Sequence, residues 1–427
     1  MAKGLFGGGT GTVADPYLIE DAYDLNAIRF NLAKSFKLVY NINLDVPPYN
    51  KSGWEPIPGS FTGSLDGNQK KIFNLYVNKP DQDYVGLFKK ITLDYTQNGN
   101  NYNAKISNIS IENARIYGRR YVGVLAGYCY IRAESSVNIY DSSALVLEKI
   151  HISGDVHGLS YVGGMFGQLY YYSLSGYSWR FVEDCLIDIT LNVQTDQTIC
   201  GLMIGQVSSN LLSYPRFCDI VCKGYYIFAG ATVQYASSIL NKDASGVAPI
   251  MENVIYDKTI WNGKETSGSV GKTSDRMKLK EEFSNLELKK TSAGASTWIF
   301  GYGRYPRLWY LEQNNLFVKA DGKYMIYDST SKQWTVKYSN VPSLLSAMCD
   351  GMKNLDNVER NAWDQLKSQY ASVEIVNIID KSVGLLYKDY AISLGREAAK
   401  DYGSKQIYRK EMAVNDFEDG IFNMETL

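Results

Sequence analysis

Ile106-Ser107-Asn108-Ile109-Ser110-Ile111 carries the decisive pattern: apolar, two residues, apolar, one residue, apolar, with an asparagine just before the second apolar position. The spacing returns at Ile72, Leu75 and Val77; Leu147, Ile150 and Ile152; Val182, Cys185 and Ile187; Phe217, Ile220 and Cys222; Met251, Val254 and Tyr256; and more weakly at Phe283, Leu286 and Leu288. Successive starts lie 34, 41, 35, 35, 34 and 32 residues apart, and so regular a period marks a repeat architecture. Side chains two apart share one face of a strand. The intervening residue, Asn74, Asn108, Lys149, Asp184, Asp219, Asn253 or Asn285, is Asn or Asp in six of seven copies. These are the residues that tolerate a left-handed bend. Each copy therefore reads as a strand, a bend and a second strand.

A glycine-bearing strand follows in the first four copies: Tyr84-Val85-Gly86, Tyr121-Val122-Gly123, Tyr161-Val162-Gly163 and Ile199-Cys200-Gly201. Glycine weakens a strand interior, so its recurrence predicts close backbone approach at a corner. A unit of this length cannot bury a core alone, whereas stacked coils share one, with parallel strands about 4.8 Å apart. The expected fold is mainly β: a parallel β-helix over residues 61–310, with residues 1–60 forming its opening coils and cap.

Repeats with Tyr161-Val162-Gly163-Gly164-Met165-Phe166-Gly167, preceded by Phe61-Thr62-Gly63-Ser64-Leu65-Asp66-Gly67-Asn68, resemble the GLUG-type right-handed parallel β-helices of bacterial and bacteriophage surface proteins. Gly8-Gly9-Thr10-Gly11-Thr12, Trp54-Glu55-Pro56-Ile57 and Gly303-Arg304-Tyr305-Pro306 are similar to that family's opening and closing segments. The resemblance implies a fold and a surface setting, and it implies no activity.

Beyond Tyr310 the repeat stops. Residues 316–327 read as two strands around Asp321-Gly322, and Gln333–Val336 as a third. From Ser343 the period becomes helical, with Leu355, Val358, Ala362, Trp363, Leu366 and Tyr370 on one stripe and a second helix expected over 385–401. Residues 311–427 are thus expected to form a small α+β domain.

The 427 residues hold 44 Lys+Arg against 45 Asp+Glu. That balance argues against nucleic acid or an anionic membrane as partner. No window is long and apolar enough for a membrane span or a signal peptide. Six cysteines without a CxxC pair and two histidines, His151 and His157, predict neither a disulfide framework nor a metal site, and no cofactor is expected.

Asp184, Asp188 and Asp219 lie near one another on neighbouring coils and could supply a glycosidase pair. However, Asp184 and Asp219 occupy the bend position where asparagine serves elsewhere, so no catalytic residue is expected. Insertions at 89–105, 128–146, 168–181, 206–216 and 231–250 start at one equivalent point and should build a loop surface. Its aromatic residues, Tyr128, Tyr130, Tyr140, Tyr170, Tyr171, Tyr172, Tyr177, Trp179 and Tyr214, suit either mutual packing or the binding of sugars or protein. Together these readings predict a non-enzymatic bacteriophage virion component, a tail fibre, baseplate or appendage protein present in multiple copies. It would contact other virion proteins and a host-surface glycan or protein. A tail-spike depolymerase and a bacterial adhesin are the alternatives.

Overall fold

The computed structural model describes residues 6–95, 105–133, 147–173, 178–209, 214–228, 230, 233–242, 249–283, 297–299, 305–308, 316–320, 323–328, 333–338, 369 and 373–377. The chain divides into two units, residues 1–277 with 285–297, and residues 278–284 with 298–427.

The first unit is a parallel β-solenoid of about four turns with roughly 36 residues per coil. Three sheets make its walls. The longest contains, in spatial order, Tyr17–Ile19, Ser35–Leu38, Ser64–Phe73, Ile106–Gly118, Leu147–Gly158, Ser178–Val193, Tyr214–Ile227, Ile250–Asp257 and Val270–Lys272. A second wall stacks Ile57–Phe61, Phe88–Tyr95, Ala126–Ala133, Phe166–Ser173, Ile204–Ser209 and Leu240–Lys242. The third, shorter wall stacks Arg120–Val122, Ser160–Gly163, Ile199–Gly201 and Tyr235–Ser237. Inward residues form continuous rows; Ile106, Leu147, Val182 and Phe217 are in register and fully buried.

The bend row is left-handed as the asparagines imply: φ is 53° at Asn108, 53° at Lys149, 52° at Asp184, 56° at Asp219 and 54° at Asn253. The amides also ladder along the axis. Asn253 Nδ2 donates to Asp219 Oδ1 at 2.9 Å, and Asn108 Nδ2 donates to Asp66 Oδ1 at 3.1 Å. Replacing Asn108 by valine is expected to destabilise the coil by about 1 to 3 kcal/mol, because a β-branched residue is strained at positive φ. Asn108→Gly should be much milder, and equal melting temperatures for the two variants would contradict this account.

Two members of that row need correction. Ile72 pairs with Ile111, and Leu65 pairs with Ile106. The rung equivalent of Asn108 in the first copy is therefore the Gly67-Asn68-Gln69 turn, whose Asn68 and Gln69 have φ 49° and 62°. Asn74 instead sits at the coil's next corner, beside Asn113, whose Nδ2 donates to its Oδ1 at 2.6 Å. The weak seventh copy is not a described coil: Phe283 ends a 3-10 turn, Lys280–Phe283, and Asn285 lies outside the described residues.

The recurrent glycines are explained by space. A Cβ on Gly123 would lie 2.7 Å from the Met165 carbonyl oxygen, and one on Gly201 2.7 Å from the Ile239 carbonyl oxygen, so each glycine accepts the backbone of the next coil. Gly154, at φ 141°, accepts the backbone of the preceding coil at the second corner, where a Cβ would meet Ala114 O at 2.1 Å.

In the second unit, Leu316–Ala320, Lys323–Asp328 and Gln333–Tyr338 form an antiparallel sheet, to which Val373–Asn377 adds an edge strand against Leu316–Ala320. Trp298–Ile299 pairs with Arg307–Leu308. The helices expected over 355–370 and 385–401 fall almost wholly outside the described residues.

Candidate binding face

The first four insertions begin as strands whose first residues extend the second wall, as in Ala126–Ala133 and Phe166–Ser173, and the tips beyond lie outside the described residues. The fifth, 231–250, instead contains Tyr235–Ser237 of the third wall and Leu240–Lys242 of the second. Period-two alternation then decides which rings face outward. Cys129, Ile131, Leu169 and Tyr171 point into the core, and Tyr128, Tyr130, Tyr170 and Tyr172 occupy the opposite parity and are partly exposed. Tyr130 and Tyr170 are in register and stack at 5.8 Å.

Tyr171 is thus a correction to the surface reading: it is fully buried, and burial pushes its phenol far above the usual range. Trp179 and Tyr214 belong to the longest wall, at the starts of Ser178–Val193 and Tyr214–Ile227, where Trp179 is paired with Pro215 and Ser178 with Tyr214. They do not share a sheet with the other four tyrosines. Tyr140 and Tyr177 lie outside the described residues.

A column that the sequence reading passed over borders this face. Tyr84, Tyr121 and Tyr161 stack face to face, with centroids 4.7 Å apart at both steps and interplanar angles of 5° and 2°. Each has positive φ, 61°, 57° and 54°. Tyr128 meets Tyr84 edge-on at 6.2 Å, and Lys90 Nζ lies 5.4 Å from the centre of the Tyr128 ring. Burial, with smaller effects from Cys129 and the nearby tyrosines, pushes the Tyr128 phenol up to about 12. At the foot of the column Asp83 receives Arg119 Nε at 2.8 Å and Arg120 Nη2 at 2.7 Å, and these bonds hold its carboxyl down at about 2. The Tyr-Val-Gly repeat was the available signal, but only its glycine was read.

Carboxylates elsewhere fall into structural settings. Asp184 and Asp219 sit at the left-handed bend and are buried, and Asp188 pairs with Lys223 Nζ at 2.6 Å. Ser110, His151 and Glu112 converge on the longest wall, but in the wrong arrangement for a hydrolytic triad. Ser110 Oγ lies 2.8 Å from His151 Nδ1, and Glu112 Oε1 lies 3.5 Å from the same nitrogen. A triad needs the hydroxyl and the carboxylate on opposite ring nitrogens. Ser110 instead donates to Glu112 at 2.8 Å, and Lys71 Nζ lies 3.3 Å from the same oxygen.

Burial opposes ionisation of Glu112, yet His151, Lys71 and Ser110 together hold its pKa at about 2. A depressed carboxyl stabilises the fold above its unfolded pKa and loses that contribution as pH falls through the folded value. Acid unfolding between about pH 4.5 and 2 should accordingly be shallower in Glu112→Gln, which lacks the titrating carboxyl. Identical pH profiles of the melting temperature would rule this out. Five cysteines, Cys129, Cys185, Cys200, Cys218 and Cys222, are buried thiols, Cys218 donating to Glu252 Oε2 at 3.3 Å, and no cluster of metal-ligating side chains occurs among the described residues.

No family model matches the chain. Halomucin of Haloquadratum walsbyi is 36% identical over 126 residues, which is 28% of this chain and 1% of halomucin. A protein provisionally named Gly-rich membrane protein, from Evansella cellulosilytica, is 32% identical over 136 residues, 25% of this chain and 16% of that protein. The chain therefore spans only a small part of the length of either relative. A solved structure from Bacteroides ovatus, provisionally named an immunoglobulin A1 protease, aligns with a TM-score of 0.43 at 17% identity over 71% of this chain and 95% of that one.

Proposed function

We propose that the protein is a non-enzymatic attachment and spacer module of a bacteriophage virion, in a tail fibre, baseplate or appendage, whose solenoid presents an aromatic face to a host-surface receptor. The observation that carries the attachment role is the outward row of Tyr128, Tyr130, Tyr170 and Tyr172 on a wall whose alternate residues are locked in the core. Rings fixed on strands lose little freedom on binding, and they offer apolar area with a polar tip. The virion setting draws on the resemblance of the repeats to GLUG-type surface proteins, and the module is placed there in several copies beside other virion proteins. Display on a cell surface is the second reading, favoured by the relative whose name describes a membrane protein.

The test is adsorption of fluorescently labelled protein to host cells. The double variant Tyr130→Ala/Tyr170→Ala should bind more weakly by about 1 to 3 kcal/mol with its melting temperature within a few degrees of the parent. Unchanged adsorption sinks the attachment role for this face. Release of reducing ends from host polysaccharide would replace it with a depolymerase. Detection in purified particles, as against the cell envelope, separates the two settings.

A further inference from the structure

Tyr84, Tyr121 and Tyr161 are the wrong residues for a corner that only has to turn. A bulky side chain at positive φ is strained, and strain kept on successive rungs points to a use for the side chain. The molecule has the cheaper solution at its other corner, where Asn108 and Asn253 hold φ of 53° and 54°. Stacking explains where the ring faces go, since each covers the next. The column therefore offers ring edges and hydroxyls outward. Tyr84 is 41% exposed, Tyr121 and Tyr161 are partly exposed, and among the described residues no partner is seen for their three hydroxyls.

The residues beside the column continue the same chemistry. Gly127, Gly167 and Gly205 lie against the backbone of Tyr84, Tyr121 and Tyr161 respectively, so close that a Cβ would fall 2.4, 2.4 and 2.6 Å from their carbonyl or α carbons. The next residues, Tyr128, Gln168 and Gln206, are in register on the second wall, and Tyr128 meets the Tyr84 ring edge-on. Gln168 Nε2 donates to Gln206 Oε1 at 3.0 Å, which leaves the Gln206 amide group and further acceptor capacity on Gln168 for a ligand. Charge lies at the first two rungs: Arg120 sits over the Tyr121 ring at 6.0 Å and, with Arg119, pairs with Asp83, and Lys90 lies over the Tyr128 ring.

We propose that this column and its flank form a track for a neutral polysaccharide lying along the coil axis. The inference rests on the attachment role above and names the chemistry of the receptor. Phenol hydroxyls and carboxamides both donate and accept, as sugar hydroxyls do. The same groups return once per rung, about every 4.8 Å, and a surface that repeats suits a polymer that repeats. A protein epitope is instead held by a few non-equivalent anchors.

Native affinity electrophoresis tests this with dextran, mannan and hydroxyethylcellulose as neutral probes and alginate as a polyanion. At least one neutral polymer should retard the protein. Tyr121→Asn should weaken that retardation at least tenfold while keeping or raising the melting temperature, because asparagine relieves the strain. Gln168→Ala, which leaves the corner intact, should weaken it severalfold and supplies the same reading if the Asn variant unfolds. Retardation by none of the neutral polymers, or by alginate alone, overturns the proposal. So does parental binding by Tyr121→Asn or, should that variant unfold, by Gln168→Ala. If polymer binding holds but cells are not adsorbed, the attachment role fails and the track stands. If adsorption survives Tyr121→Asn together with Gln168→Ala, the track fails alone.

Discussion

Tyr171→Ala is expected to cost about 3 to 5 kcal/mol, the range for emptying an aromatic site in a packed core. Tyr170→Ala, one residue away, should leave the melting temperature almost unchanged. The contrast follows from parity: Tyr171 is fully buried between the second wall and the core, whereas Tyr170 lies on the outer face against Tyr130. Its neighbours are Ile131 on one rung and Ser209 on the other, so the vacated volume would be shared by two interfaces of the stack. Chemical denaturation of both variants checks the pair. Similar midpoints would mean that Tyr171 is not a core residue.

Gly163→Val should be worse still, exceeding about 3 kcal/mol and preventing proper stacking of the coil. The Cβ alone would sit 2.2 Å from Phe166 O, 2.5 Å from Gly205 N and 2.9 Å from Ile204 C. All three are backbone atoms in a hydrogen-bonded wall, so no side chain can move aside. Because each coil is stabilised by its neighbours, the lesion should spread along the stack. Gly163→Ala already introduces that Cβ and should show most of the loss. A soluble, parent-like Gly163→Ala protein would show that the close approach is absent.

The solenoid was legible because its two determinants are local and periodic: an apolar row fixed by strand parity and a bend fixed by Asn or Asp. The phase of the first copy was not. Ile72-Leu75-Val77 and Ile111-Ala114-Ile116 share both the apolar spacing and the preceding asparagine, at Asn74 and Asn113, because a coil turns two similar corners. Only the pairing of Leu65 with Ile106 distinguishes them. The aromatic surface was partly legible. Leu169 and Tyr171 share parity, so alternation alone assigns Tyr171 to the core, but a run of three tyrosines invites reading as a loop. Trp179 could not be placed without knowing that residue 178 starts a strand of the longest wall. The Tyr84 column escaped because stacking across coils joins residues 37 and 40 positions apart, from Tyr84 to Tyr121 and from Tyr121 to Tyr161, and nothing within one repeat records it.

In the longest wall, pairing runs from Ser178 to Asn192 at one interface, from Arg216 to Cys222 at the next, and only from Ile255 to Asp257 at the last. Inter-strand hydrogen bonds of stacked coils lie along the stacking axis, so a pull in that direction loads one interface at a time. The shortest ladders then yield first, and the N-terminal end has equally short ones, Tyr17–Ile19 against Phe36–Leu38 and Ser35–Lys37 against Ser64–Asp66. Under tension the solenoid should peel from both ends and leave the middle coils, those bearing Tyr121 and Tyr161 among them, closed, which makes the terminal rungs a mechanical fuse for the rest.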